Sequence, residues 1–168
     1  MGFLIIDENE RKLENNVSND EGQIFIMSKK PQRENISDYI YNLTHGEKEI
    51  TLNGDLILDG KSILLDTDNL IIDGNHHVIT SMHELGLFKI LGNNITLKNM
   101  IFKDSHAEYV NGGAIESKGK NLRIENCIFE NNSSLWSGGA IESDGSLQIE
   151  STVCNTSFAV VVDGCAVR

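Results

Sequence analysis

From residue 49 onward, apolar and polar positions alternate in short runs, each closed by Gly, Asn, Asp or Ser. Over 49–66 the apolar side falls on Ile50, Leu52, Leu56, Leu58, Ile63 and Leu65. Residues two apart share one face of an extended strand, so this pattern predicts strands separated by turns, not helices.

The alternation itself recurs. Asn69-Leu70-Ile71-Ile72, Asn94-Ile95-Thr96-Leu97, Asn121-Leu122-Arg123-Ile124 and Ser146-Leu147-Gln148-Ile149 are spaced 25, 27 and 25 residues apart. A second marker runs in phase: Gly86-Leu87-Phe88, Gly113-Ala114-Ile115, Gly139-Ala140-Ile141 and Cys165-Ala166-Val167, at intervals of 27, 26 and 26. A third lies between them in Asn99-Met100-Ile101-Phe102, Asn126-Cys127-Ile128-Phe129 and Ser151-Thr152-Val153-Cys154.

Three short strands with their turns use about 25 residues, the length of one revolution of a parallel β-helix. The expectation is an all-β fold: a right-handed single-stranded parallel β-helix of about 4–5 coils, in which equivalent residues stack about 4.8 Å apart. Ile72, Leu97, Ile124 and Ile149 should then form an inward aliphatic ladder. Asn69, Asn94 and Asn121 should form one amide ladder, and Asn99 with Asn126 another.

A single coil cannot hold itself together. Ordering about 25 residues costs about 1–2 kcal/mol each, more than a few half-covered aliphatic side chains return, so neighbouring coils and capped ends are needed. Ile36, Tyr39, Ile40 and Leu43 are spaced for one helical face, with Asp38 in the first turn and Gly46 as a stop, which predicts a short capping helix over about 36–45. The domain reading is an N-terminal extension over 1–34, with one strand-like patch at Gln23–Met27, and a β-helix domain over 35–168 with coils over 49–168. No capping pattern follows the last coil, so the expectation is an open C-terminal edge, a fragment of a longer protein, and end-to-end self-association through that edge.

Composition supports this picture and narrows the partners. The 168 residues include 15 Gly and a single Pro, Pro31. A net charge of −11 disfavours nucleic acid and anionic membranes, both of which require Lys and Arg. No apolar run approaches the roughly 20 residues of a membrane span, and no signal peptide is visible. Cys127, Cys154 and Cys165 form no CxxC pair and no even-numbered disulfide framework, and read as small apolar side chains in or near the core.

Candidate chemistry is sparse. Asp66, Asp68 and Asp73 form the one acidic cluster among the strands, and read as turn residues. Arg123 points outward between Thr96 and Gln148 on a solvated face, as do Glu116, Glu125, Glu142 and Glu150. His76, His77, His83 and His106 fit no zinc-ligand spacing. Sequons occur at Asn16, Asn35, Asn42, Asn94, Asn131, Asn132 and Asn155, as expected of an Asn-rich chain. The expectation is no catalytic residue, no metal and no cofactor.

Ile50-Thr51-Leu52-Asn53-Gly54-Asp55 followed by Asn69-Leu70-Ile71-Ile72-Asp73-Gly74-Asn75 resembles the start of the β-helix domain in adhesin-like surface proteins of methanogenic archaea. Asn126-Cys127-Ile128-Phe129-Glu130-Asn131-Asn132 leading to Gly138-Gly139-Ala140-Ile141 is similar to the repeats of that group and of chlamydial polymorphic membrane proteins. Phe102-Lys103-Asp104-Ser105 before Gly112-Gly113-Ala114-Ile115 is a second copy. The resemblance covers roughly 36–168. It implies a pectin-lyase-like solenoid at the cell surface or outside the cell: a non-catalytic module that binds protein or carbohydrate of a host or neighbouring cell. The alternative is a polysaccharide lyase or glycoside hydrolase of the same fold, which would need facing carboxylates or an acidic Ca²⁺ cluster.

Overall fold

The computed structural model describes residues 36–155, together with the backbone of the strands Gly2–Leu4, Gln23–Met27 and Phe158–Ala159. All strand pairs are parallel, and each strand pairs with its equivalent one revolution away, so the chain is a parallel β-solenoid of about four turns.

Three sheets run along the stack. The first holds Gly2–Leu4, Gln23–Met27, Glu49–Asn53, Ile71–Asp73, Ile95–Lys98, Leu122–Glu125 and Leu147–Glu150. The second holds Leu56–Leu58, Val78–Ser81, Ile101–Lys103, Ile128–Glu130 and Val153–Asn155. The third holds Ile63–Leu65, Phe88–Ile90, Ile115–Ser117 and Ile141–Ser143. A smaller fourth sheet of His106–Ala107, Ser133–Ser134 and Phe158–Ala159 lies between the second and third in the later coils.

The inward positions meet as the periodicity predicts. Ile72 pairs with Leu97, Leu97 with Ile124 and Ile124 with Ile149. The first three are fully buried, whereas Ile149 keeps the register but is 39% exposed. Burying each such side chain is worth about 1.5–3 kcal/mol, which only a covered rung collects. A parallel ladder of Leu56, Ile79, Phe102, Phe129 and Cys154 fills the side under the second sheet.

Asparagine makes the corners. Asn69, Asn94 and Asn121 precede the first-sheet strands with φ of 59°, 56° and 59°, while Asn99 and Asn126 follow them with φ of 53° and 50°. Of the non-glycine residues, Asn and Asp adopt this left-handed region most readily. Their amides then ladder: Asn94 Nδ2 donates to Asn69 Oδ1 and Asn121 Nδ2 to Asn94 Oδ1, both at 2.8 Å, and Ser146 Oγ continues onto Asn121 Oδ1. Asn126 donates to Asn99, which donates to Asp73 Oδ1. A third corner ladder, Asn131 to Asp104 at 2.7 Å, was not read from the sequence.

Two glycine positions show how tightly the coils approach. A Cβ on Gly119 would run into the Gly92 carbonyl oxygen one coil away, and one on Gly113 into the carbonyl oxygen of Gly139. The Gly-Ala-Ile marker therefore records a close backbone approach beside an inward apolar rung.

The cap is a helix over Ile36–Thr44. It buries Ile36, Tyr39 and Ile40 against the ends of the second and third sheets. Ser37 Oγ donates to the Lys61 carbonyl at 2.6 Å and Lys61 Nζ pairs with Asp38 at 2.8 Å, which ties the first helical turn to the first coil. The first sheet continues past the helix, because Gln23–Met27 pairs in parallel with Glu49–Asn53 and Gly2–Leu4 pairs with Gln23–Met27. The rest of the 1–34 extension, the fourth marker at Cys165 and the open C-terminal edge lie outside the described residues.

Candidate binding recess on the loop edge

Where the second sheet turns toward the third, the later coils carry longer connections, spanning Ser105–Gly113 and Asn132–Gly139. Buried polar side chains hold these loops in register. Ser105 and Asn132 are fully buried: the Asn132 amide accepts from the Ser105 N–H at 3.2 Å and donates to the Phe102 carbonyl at 3.0 Å. Ser105 Oγ reaches the carbonyls of Leu85 and Gly113. A buried network with its groups paired fixes one geometry, because any slip would leave amides unpaired in the interior.

Above that network the loops bond rung to rung. Leu135 N donates to the Ala107 carbonyl at 3.1 Å, and Ser134 Oγ donates to the Val110 carbonyl while accepting from Trp136 N. Trp136 Nε1 donates to the Glu108 carbonyl at 3.1 Å, so the indole is held by both its ring nitrogen and its backbone.

This framework holds large apolar side chains in solvent. Tyr109 is 81% exposed, Trp136 59% and Leu135 51%, and Met82, on the corresponding loop one coil earlier, is 68% exposed. Beside them lies a recess of about 200 Å³ lined by Glu84, His106, Glu108, Ser133, Ser134 and Leu135. The His106 ring Nδ1 sits 2.7 Å from Ser133 Oγ. The neighbouring Glu108 carboxylate, by its hydrogen-bonding capacity and then its charge, raises the Tyr109 pKa above the ordinary value, with Glu84 adding to the effect. The sequence has no Lys or Arg between Lys61 and Lys89, between Lys103 and Lys118 or between Arg123 and Arg168, so the segments lining the recess carry carboxylates without a strong cation among them.

The residues singled out in the sequence are placed elsewhere. Asp66 meets Tyr41 and His45, Asp68 accepts from the Asn93 N–H and amide, and Asp73 accepts from Asn75 N and Asn99 Nδ2. Asp66 thus ties the first coil to the capping helix, while Asp68 and Asp73 are engaged in corner contacts. Arg123 is exposed on the outward face, as expected, and there it pairs with Glu125 at 2.7 Å and Glu150 at 2.8 Å. The Glu150 hydrogen bond, then the Glu150 and Glu125 charges, hold its pKa above the ordinary value. Glu116 and Glu142 occupy neighbouring rungs, the first 3.7 Å from Lys118 and the second accepting from Ser137 Oγ.

His77 and His83 meet Asp55 and Asp59 on the coil below, apart from His106 in the recess. Among the described residues no three His, Cys, Asp or Glu converge as a metal site. Of the sequons, Asn132 is buried with its amide engaged, and Asn94 and Asn131 are spent on ladders. Cys127 is a buried free thiol and Cys154 packs against the core, as read; Cys154 is also disulfide-bonded, a pairing that the cysteine spacing did not predict.

The recess was missed because its residues carry no periodic signal. Tyr109 and Trp136 fall in the non-repeating part of each coil, where a single sequence offers only their size and polarity. No protein-family model, curated protein or solved structure matches the chain. Its class, a parallel β-solenoid, rests on its own strand register and ladders.

Proposed function

We propose that this chain is a non-catalytic binding module of adhesin type, working at the cell surface or outside the cell, and that it engages a protein or carbohydrate through the loop edge around Tyr109 and Trp136. The observation that carries this is the exposure of Tyr109, Leu135 and Trp136 on loops that buried Ser105 and Asn132 hold rigid. Large aromatic side chains kept in water on a fixed framework are characteristic anchors of recognition surfaces.

Two further features support the reading. The Gly-Gly-Ala-Ile repeats resemble those of adhesin-like surface proteins, which bears on the role only by analogy of fold. The Cys154 disulfide suits an oxidising compartment outside the cytosol.

The test is a screen of the purified chain against immobilised glycans and peptides, beside the double variant Tyr109→Ser/Trp136→Ser. Saturable binding that the variant loses is the expected result. Cleavage of polygalacturonate or another polysaccharide, abolished by Glu116→Gln or Glu142→Gln, would overturn it in favour of the enzyme reading.

A further inference from the structure

We infer that the recess lined by Glu84, Glu108 and Leu135 docks a basic segment of a partner protein, with one Lys or Arg side chain seated against the two carboxylates and the rest of the segment lying over the adjoining exposed Trp136 and Tyr109. This rests on the binding-module reading and adds the chemistry of the occupant.

Charge is the first argument. Glu84 and Glu108 face a recess whose lining segments contain no Lys or Arg, and no ion pair to either carboxylate occurs among the described residues. Elsewhere on the surface carboxylates do find cations, as Asp38 finds Lys61, Glu130 finds Lys103 and Glu150 finds Arg123. Glu84 and Glu108 have no such partner among the described residues, and they share one recess. A partner bringing its own cation completes it, and the net charge of −11 steers such a partner inward.

Shape and ring chemistry agree. A volume of about 200 Å³ is that of roughly six or seven waters, room for one long side chain. Indole and phenol faces attract ammonium and guanidinium groups, and the Trp136 ring is already fixed by its bond to the Glu108 carbonyl, so little ordering is left to do on binding. A neutral sugar could stack on the same rings but would cover both carboxylates without a counter-charge, and an acidic polymer would be repelled.

Trp136 is the only Trp in the chain, so its emission reports on this site directly. The probe is a short blocked peptide of alternating Arg and Gly, compared with the same peptide carrying neutral citrulline in place of Arg. The arginine peptide should change the Trp136 emission saturably and the citrulline peptide should not. The double variant Glu84→Gln/Glu108→Gln should weaken binding by about tenfold or more, whereas Glu47→Gln/Asp144→Asn, which removes equal charge elsewhere, should change it by less than about twofold. Equal losses in the two double variants would show diffuse attraction to an acidic surface and overturn the inference. A Trp136 response to a neutral oligosaccharide but not to the arginine peptide would leave the binding module standing and remove its basic partner. Silence toward every probe would remove both.

Discussion

The ring of Phe129 stacks over that of Phe102 one coil below, with centroids 4.6 Å apart and planes 11° from parallel, while Phe88 meets Phe102 edge-on at 5.7 Å. Phe102 and Phe129 pair in register and are buried, so the aromatic column joins successive coils and not just one coil to itself. Phe102→Ala should cost about 3–5 kcal/mol of unfolding free energy, measured by urea denaturation, and Phe102→Leu less because it leaves a smaller void. A loss below about 1 kcal/mol for the alanine variant would mean that the column is not packed as described.

Asn94 combines a left-handed backbone at φ 56° with a side chain that donates to Asn69 and accepts from Asn121. Asn94→Ala loses both hydrogen bonds and strains the corner, for about 1–3 kcal/mol in all. Asn94→Gly relieves the backbone strain but not the missing ladder, and its stability should fall between wild type and alanine. If glycine were no better than alanine, the corner would not need a left-handed residue.

Gly119→Ala should be among the most damaging single-methyl additions to this chain, because the new Cβ meets the Gly92 carbonyl oxygen, a backbone atom that cannot turn aside. Gly46→Ala is the control, since its nearest neighbour is the Leu43 carbonyl at an ordinary 3.7 Å. Thermal unfolding should show a clear drop in Tm for the first and little change for the second.

Burial pushes the Cys127 thiol up to about 11 from an ordinary 9.0, against backbone hydrogen bonds that act in the opposite direction. The folded chain holds this proton more tightly than the unfolded chain, so the contribution to stability is intact below about pH 9 and is lost as pH rises from there toward 11. Cys127→Ala, which pays a constant packing cost, should lack that part of the alkaline decline. Denaturation midpoints of the two proteins should therefore converge between pH 9 and 11, and parallel curves would argue against a buried neutral thiol. Alkylation of Cys127 at pH 8 should likewise be slow in the native chain and fast in urea.

The coil repeat was legible because each revolution must meet the same local demands. An inward aliphatic residue is needed wherever Ile72, Leu97 and Ile124 stack, and a residue tolerant of positive φ wherever Asn69, Asn94 and Asn121 turn the chain. Those demands act on one residue type at one position, so they mark the sequence every 25 to 27 residues. The capping helix was legible for a similar reason, since its buried face follows helical spacing. Ile149 shows the limit of the rule: its pattern matches the ladder, but its exposure depends on what lies over it.

What periodicity could not convey are matches between unlike residues on different coils. Gly74 leaves space for Met100, where a Cβ would strike the Met100 side chain, and Arg123 meets Glu150 across a rung. The recess is the clearest case, because Trp136 and Glu108 are 28 residues apart in loops with no repeating pattern. Local alternation and corner chemistry suffice to specify a stacked cylinder, since they act within a few residues and recur. Which side chains share a recess was settled only when buried Ser105 and Asn132 locked loops of differing sequence into one register, a long-range effect that no single segment encodes.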